Sequence, residues 1–264
     1  MEEQELLVER DGAVEIITLN RPEIMNSLTY GMVRGIGDLL EEAQTDDSIR
    51  AVVITGAGRA FSTGADLTGK GSTRLDAHTA LGMRLTTFSY SRMITAMWSL
   101  EKPVIGAVNG TAAGASCNFV LSCDLLVMAD TAKFIQVFVR RGLVPDAGGT
   151  YFLPRLVGLA KAKELMFLGE DLTAEKALEI GLVYKVVPAE KLMEEALALA
   201  HRLAAGPTRA IGMMKTMLNK SFDSDLLTAL DREASLQGIA VSTGDVVEGI
   251  TSFLQKRPPE FKGM

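Results

Sequence analysis

Two short runs of the chain show no alternation of apolar and polar residues, and each is followed at once by a loop of small residues. Ala51–Thr55 (AVVIT) leads into Gly56–Gly64, and Val104–Val108 (VIGAV) leads into Gly110–Gly114. A strand with one wet face alternates apolar and polar residues. A run without alternation belongs to a strand covered on both faces, as in a parallel sheet between helices. Leu125–Met128 has the same character, and Val14–Asn20 reads as a further strand ended by Asn20-Arg21-Pro22. Between them lie segments of helical spacing. Tyr30–Ala43 carries Met32, Val33, Ile36, Leu39 and Leu40 on one face, and a long helix is expected from about Leu75 to Leu100. Its inner positions are expected to be Leu81, Leu85, Phe88, Met93, Ile94 and Met97. Strands alternating with helices argue for an α/β layered core.

After Gly142 the pattern is mostly helical: Gly158–Leu168, Ala174–Ile180, Glu190–Ala204, Pro207–Leu218, Leu226–Ile239 and Val246–Leu254, interrupted by strand character at Val183–Val187. The expected division is a core over residues 1–199 and a helical region over 200–264. The C-terminal helices are too rich in Leu and Ala to be used up in covering the core, so a second role in oligomerisation is expected.

The net charge of −6 disfavours a nucleic-acid surface, which needs clustered Lys and Arg. The acidic start MEEQELLVERDG does not read as a secretory signal, and no apolar run approaches the roughly 18 residues needed to span a bilayer. Cys117 and Cys123 match no metal or redox spacing and read as buried free thiols of a reducing, cytoplasmic compartment. With His78 and His201 as the only histidines, a multi-histidine metal site within one chain is excluded.

The loops GAGRAFSTGADL and NGTAAGAS each follow a buried strand, and ligands of open α/β sheets bind beyond the carboxyl ends of strands. Small residues let backbone N–H groups approach a ligand closely, so two such loops can aim two donors at one oxygen. Two alternatives stay open on the residues alone. The loops are tight strand-to-helix turns and nothing more, or Gly56-Ala57-Gly58 begins a dinucleotide-binding turn. Phe61 at the third glycine position speaks against the second.

LNRPEIMNSL (Leu19–Leu28), VVITGAGRAFSTGADL (Val52–Leu67), KPVIGAVNG (Lys102–Gly110), GLVPDAGGTYFLPRLVG (Gly142–Gly158) and the tail EGITSFLQKRPPEFKG resemble, in order and spacing, motifs of the enoyl-CoA hydratase/isomerase (crotonase) superfamily. The resemblance implies a spiral of ββα units with a helical C-terminal region, assembled as a trimer or dimer of trimers. It implies an acyl-CoA thioester as substrate, with coenzyme A part of that substrate and no metal or redox cofactor. By position, the backbone N–H groups of Ala65 and Ala115 would form an oxyanion hole. Thr63, Asp66 and Leu67 would help form the coenzyme A pocket, with helix capping as the alternative for Asp66. Arg59 is a candidate for a phosphate of the ligand, and Phe261 and Lys262 would approach a neighbouring subunit's site.

The acids are where the chain departs from the resemblance. Asn118 and Phe138 stand where hydratases of the superfamily carry two glutamates. A neutral amide can orient water but cannot take its proton at neutral pH, and Phe138 brings only apolar bulk. Both are expected to line the substrate. Asp146, in VPDAGGT, is the remaining candidate. In an apolar pocket its pKa should rise, and the alternative is that it caps the helix beginning near Gly148. Phe138, GLVPDAGGT and FLQKRPPEFKG are similar to the epoxyphenylacetyl-CoA isomerase branch, whose aspartate in this motif maps to Asp146. The expected function is therefore an acyl-CoA isomerase, acting on an enoyl-CoA or a ring-epoxide acyl-CoA, that stabilises a thioester enolate and shuttles one proton through Asp146. The rivals are an atypical hydratase and a non-catalytic acyl-CoA-binding protein. Ser116 as a nucleophile would need a base from His78 or His201, and neither sits in a triad context.

Overall fold

The computed structural model describes residues 4–66 and 79–264. The buried apolar runs are strands of one six-stranded sheet in the order β1-β2-β3-β5-β7-β10: β1 is Leu6–Asp11, β2 Val14–Leu19, β3 Ala51–Gly56, β5 Val104–Val108, β7 Leu125–Ala129 and β10 Lys185–Val187. All neighbours run parallel except the β1–β2 hairpin. Every residue of β3 and of β5 is buried, as their lack of alternation requires.

A second sheet is built from four three-residue strands in the order β4-β6-β8-β9: β4 is Ala60–Ser62, β6 Thr111–Ala113, β8 Lys133–Ile135 and β9 Asp171–Thr173. β4, β6 and β8 run parallel, and β9 closes the sheet antiparallel to β8. Three central strands of the large sheet thus each hand the chain to a short strand of the small one and then to a helix. β3 and β4 lead to α2 (Ala80–Ser99), β5 and β6 to α3 (Ala115–Val120), and β7 and β8 to α4 (Gly149–Val157) through a 3₁₀ turn at Val137–Arg141. This is the spiral of ββα units. The sequence reading takes the β4 and β6 stretches as loop and turn, and misses β1 and the rest of the second sheet. Three residues are too few to display a period, and β1 (LLVERD) is an exposed edge without alternation.

The preceding helix α1 (Tyr30–Thr45) buries Met32, Val33, Ile36, Leu40 and Ala43 and is capped by the Thr29 hydroxyl, which accepts from the Met32 N–H at 3.0 Å. The first half of α2 departs from expectation. Leu81, Leu85 and Phe88 are exposed, whereas Tyr90, Met93, Met97 and Leu100 are buried. The apolar spacing continues along the helix, but only its C-terminal half lies against the core; α2 packs on α1. α5 (Leu159–Leu168) and α6 (Ala174–Glu179) follow α4. The expected boundary at residue 199 falls inside α7 (Leu192–Ala204), which packs across β2, β3, β5 and β7 through Ala196, Ala200 and Ala204.

Beyond α7 lie α8 (Thr208–Lys220), α9 (Leu226–Val241) and α10 (Gly244–Gln255). Buried or half-buried polar ties help fix this region to the core. Lys215 of α8, itself buried, reaches Asp124 at 2.8 Å and the Lys102 carbonyl at 3.2 Å. Arg50 donates to Thr208 Oγ1 (2.9 Å), to the Gly206 carbonyl (2.5 Å) and to the Phe261 carbonyl (3.2 Å).

Candidate active site

Two backbone donors end the strands of the small sheet. Leu28 forms a parallel bridge with Ala65, in which the Leu28 N–H donates to the Gly64 carbonyl at 2.8 Å and the Asp66 N–H to the Leu28 carbonyl at 3.0 Å. Extended backbone alternates its donors, so the Ala65 N–H turns away from that bridge. Ala115 is the first residue of α3, where an N–H has no intrahelical acceptor. Neither N–H donates to a backbone carbonyl among the described residues. The two loops touch. Gly64 has φ +97, and a Cβ there would stand 2.9 Å from the Ala113 carbonyl oxygen and 3.6 Å from the Ala115 nitrogen. Only glycine adopts that conformation and permits that approach.

Side chains next to each donor tie the loops together. Ser62 and Ser116, both fully buried, share a hydrogen bond of 2.5 Å, and Ser62 donates to the Asn26 carbonyl at 2.6 Å. The Asn26 amide in turn donates to the carbonyls of Ala57 and Ala60, each at 2.8 Å. Arg21 reaches Asp66 at 3.0 Å and the Ser27 carbonyl at 2.8 Å. The NRPEIMNSL motif therefore works as the underside of the Ala65 loop.

Asp146 stands at the head of α4. Its carbonyl accepts from the Gly149 N–H at 3.0 Å, closing a turn through Ala147 (φ 45) and Gly148 (φ 77). Both central residues are left-handed, a type I′ geometry that costs an alanine about 1 kcal/mol. Phe152 and Ile94 pack against Gly148, where a Cβ would meet the Phe152 ring at 2.7 Å. The N-cap of α4 is Gly148, with no side-chain hydrogen bond to the helix, so the Asp146 carboxyl does not cap it. Its Oδ1 is buried without a hydrogen-bond partner. Burial pushes the carboxyl up to about 6, opposed in part by its own backbone N–H. Tyr90 of α2 faces it, and its hydroxyl is pushed up by burial first and by the Asp146 charge second. Asp146 also lines a cavity of about 430 Å³ with Thr87, Ser91, Ile94, Thr95 and Trp98 of α2.

Asn118 links this carboxylate to the donor loops. It lies on α3 one turn after Ala115 and is fully buried. Its Nδ2 donates to the Asp146 carbonyl at 2.8 Å, and its Oδ1 accepts from Gln136 Nε2 at 2.7 Å. Its amide is therefore engaged by protein at both ends. Phe138 is buried too, with its ring 3.9 Å from where a Cβ on Gly114 would lie.

The other expected residues fall as follows. Thr63 is half-buried and bound through its N–H to the Met25 carbonyl at 3.1 Å. Asp66 is held by Arg21, and Leu67 and His78 lie outside the described residues. Arg59 is exposed. Ser116 has Ser62 as its partner and no base among the described residues, while His201 pairs with Asp11 at 2.9 Å on the surface. The Gly56–Gly58 turn leads into β4 instead of a helix, which removes the dinucleotide alternative. Cys117 and Cys123 are free, and burial pushes the Cys117 thiol up to about 12. Phe261 packs on Gly249 of its own α10, and the Lys262 N–H donates to Asp245 at 2.7 Å. Among the described residues no three His, Cys, Asp or Glu side chains cluster to hold a metal ion, and no helix is long and apolar enough to cross a membrane. Sequence reasoning misses Tyr90, Gln136 and the Ser62–Ser116 pair as site residues. Tyr90 lies on the helical spacing that marks Met93 and Met97, and that is its one sequence signal.

Two small-residue loops meet at the ends of parallel strands with two backbone N–H groups free of backbone acceptors among the described residues, and the comparisons give the class of enzyme to which this fold belongs. The enoyl-CoA hydratase/isomerase family model matches residues 9–264, and the chain belongs to that family. It is 40% identical over 253 residues to the 1,2-epoxyphenylacetyl-CoA isomerase of Escherichia coli, covering 96% of each chain. It is 38% identical over 264 residues to the 2,3-dehydroadipyl-CoA hydratase of the same organism, covering 98% and 99%. The crystal structure of an enoyl-CoA hydratase from Bacillus anthracis superposes with a TM-score of 0.92 at 32% identity, over 99% of this chain and 100% of that one.

Proposed function

We propose that the protein is an acyl-CoA isomerase in which Asp146 carries a proton between two carbons of the acyl group. The observation that carries this reading is the Asp146 carboxyl, with one oxygen buried and unpartnered and a pKa raised to about 6. The two positions at which the resemblance implies glutamates in hydratases hold Asn118 and Phe138. A carboxylate of that pKa is mostly ionised at neutral pH and is a stronger base than a solvated aspartate.

In this reading the thioester oxygen sits between the Ala65 and Ala115 N–H groups, which oppose its developing charge, each worth about 3 kcal/mol. Ionised Asp146 takes a proton from one carbon, and the electron pair delocalises onto the thioester oxygen. The protonated carboxyl then returns that proton to another carbon as the carbonyl re-forms. With an amide and a phenyl ring at the other two positions, water addition has no second carboxylate to manage it. The exposed apolar residues Leu226, Leu227, Phe253 and Leu254 on α9 and α10 support burial against further copies, as a trimer or dimer of trimers.

The test is turnover by the purified protein on positional isomers of enoyl-CoA and on 1,2-epoxyphenylacetyl-CoA. One of them should rearrange, and D146N should lose most of that rate. Near-full activity in D146N, or rapid water addition to crotonyl-CoA, overturns the reading.

A further inference from the structure

We propose that Asn118, braced by Gln136, is the positioning residue that aims the Asp146 carboxylate, so that the hydratase acid position has become a strut for the remaining acid. The inference rests on the reading of Asp146 as proton carrier, and it is carried by the hydrogen bonds around the Asp146 turn.

The Asp146 carbonyl takes two donors, the Gly149 N–H at 3.0 Å from within the turn and Asn118 Nδ2 at 2.8 Å from α3. The first closes the left-handed turn; the second ties that turn to the helix carrying Ala115. An amide is suited to the task in a way a carboxylate is not. It must present a donor to the Asp146 carbonyl and an acceptor to Gln136 Nε2, which lies 2.7 Å away. An ionised glutamate or aspartate at 118 has no donor to offer a carbonyl.

Packing fixes the same geometry. A Cβ at Gly149 would collide with all three terminal atoms of the Asn118 amide, so the turn lies directly on that side chain. The turn contains Ala147 at φ 45, a conformation that persists only when its surroundings enforce it. Asn118 is a positioning residue here, since it touches Asp146 and is wholly buried.

The experiment compares N118D, N118L and D146N with the wild type, measuring kcat, KM and the pH dependence of kcat for enoyl-CoA isomerisation. N118D keeps the shape, loses the donor when ionised and sets a like charge beside Asp146. N118L loses the donor without adding charge. Both should lower kcat about tenfold or more, as misplacement of a reacting group does, with KM within about twofold. The acidic limb of the profile should move up in N118D, by like-charge repulsion, and down in N118L, as the loosened turn admits water. Tyr90, the other titratable group facing Asp146 among the described residues, is unchanged in both.

A role confined to packing would lower thermal stability in both variants, yet leave kcat of the folded enzyme and the limb where they were. That result overturns the inference. Should N118D fail to fold, N118L decides the question by the same two readouts. Full activity in D146N sinks the underlying proposal instead, whereas an inactive D146N beside fully active N118D and N118L sinks only the strut.

Discussion

Asp146→Asn should damage catalysis and stabilise the fold, and the second effect has a definite pH window. The carboxyl is raised from 3.8 to about 6 by burial. A shift of about 2 units corresponds to about 3 kcal/mol between the two protonation states. The sign follows from proton counting. Between about pH 4 and 6 the folded chain holds this proton and the unfolded chain releases it, so stability falls as pH rises through that interval. Above it the full penalty of a desolvated carboxylate is present. At pH 4 the side chain is largely neutral in the folded state, and an amide of the same shape should change little. At pH 8 the amide removes a buried charge, at the cost of leaving an amide unpaired in its place. A net gain of about 1–3 kcal/mol is expected once that orphaned amide is charged against it. The assay is urea unfolding of both proteins at one protein concentration across pH 4–8, because any self-association would contribute to apparent stability. If the advantage of D146N is the same at pH 4 and pH 8, or absent at both, the carboxylate is not desolvated in the folded protein. The tuned base then disappears from the mechanism.

The remaining predictions use the same geometry. Isomerase turnover should fall below about pH 6, because only ionised Asp146 accepts a proton; a rate flat to pH 5 would argue for another base. S116A removes the cross-loop bond to Ser62 and leaves the Ser62–Asn26 bond intact. It should lower kcat about tenfold and weaken the absorption shift of a bound conjugated aryl-acryloyl thioester, whose carbonyl reports polarisation by the two N–H donors. An unaltered shift with unaltered kcat removes the serine pair from the oxyanion machinery. K215M strands Asp124 without its partner and should destabilise by about 3 kcal/mol or more, while D124N/K215M should recover most of it, as measured by denaturant unfolding. R50M frees Gly206, Thr208 and the C-terminal tail together and should cost about 2–3 kcal/mol at about 1 per hydrogen bond; protease nicking confined to residues 205–264 would be its signature.

What the residues alone reveal tracks how local the cause is. AVVIT and VIGAV declare buried strands because every position is covered, and the helices after Gly142 appear within two or three residues of their expected ends. β4, β6, β8 and β9 are too short to carry a period, and they exist because the first sheet places their neighbours beside them. Leu81, Leu85 and Phe88 keep the spacing of Met93 and Met97, but periodicity reports which residues share a face, never how far the core extends beneath it. In the site, Ala65 and Ala115 are reached through the resemblance, since a backbone donor has no side-chain signature. Gln136 and the Ser62–Ser116 bond cannot be seen in advance, because each joins residues at least 18 apart through a contact that only the fold creates.

Asn118 and Phe138 show why a missing acid is more than a deletion. A second carboxylate within reach of Asp146 would itself alter the proton affinity of both through like-charge coupling. With a phenyl ring and a doubly bonded amide at those positions instead, burial is the largest influence on Asp146, and among the described residues no cation reverses the shift. In the proposed isomerase, the same two residues thus leave one carboxyl with a pKa near the working pH, where a proton can be taken up and returned. Restoring an acid at Phe138 should therefore do more than add a missing group: it should split the single acidic limb of the pH profile into two coupled steps. A single limb in F138E that stays near pH 6 would mean that position 138 lies too far from Asp146 to govern it.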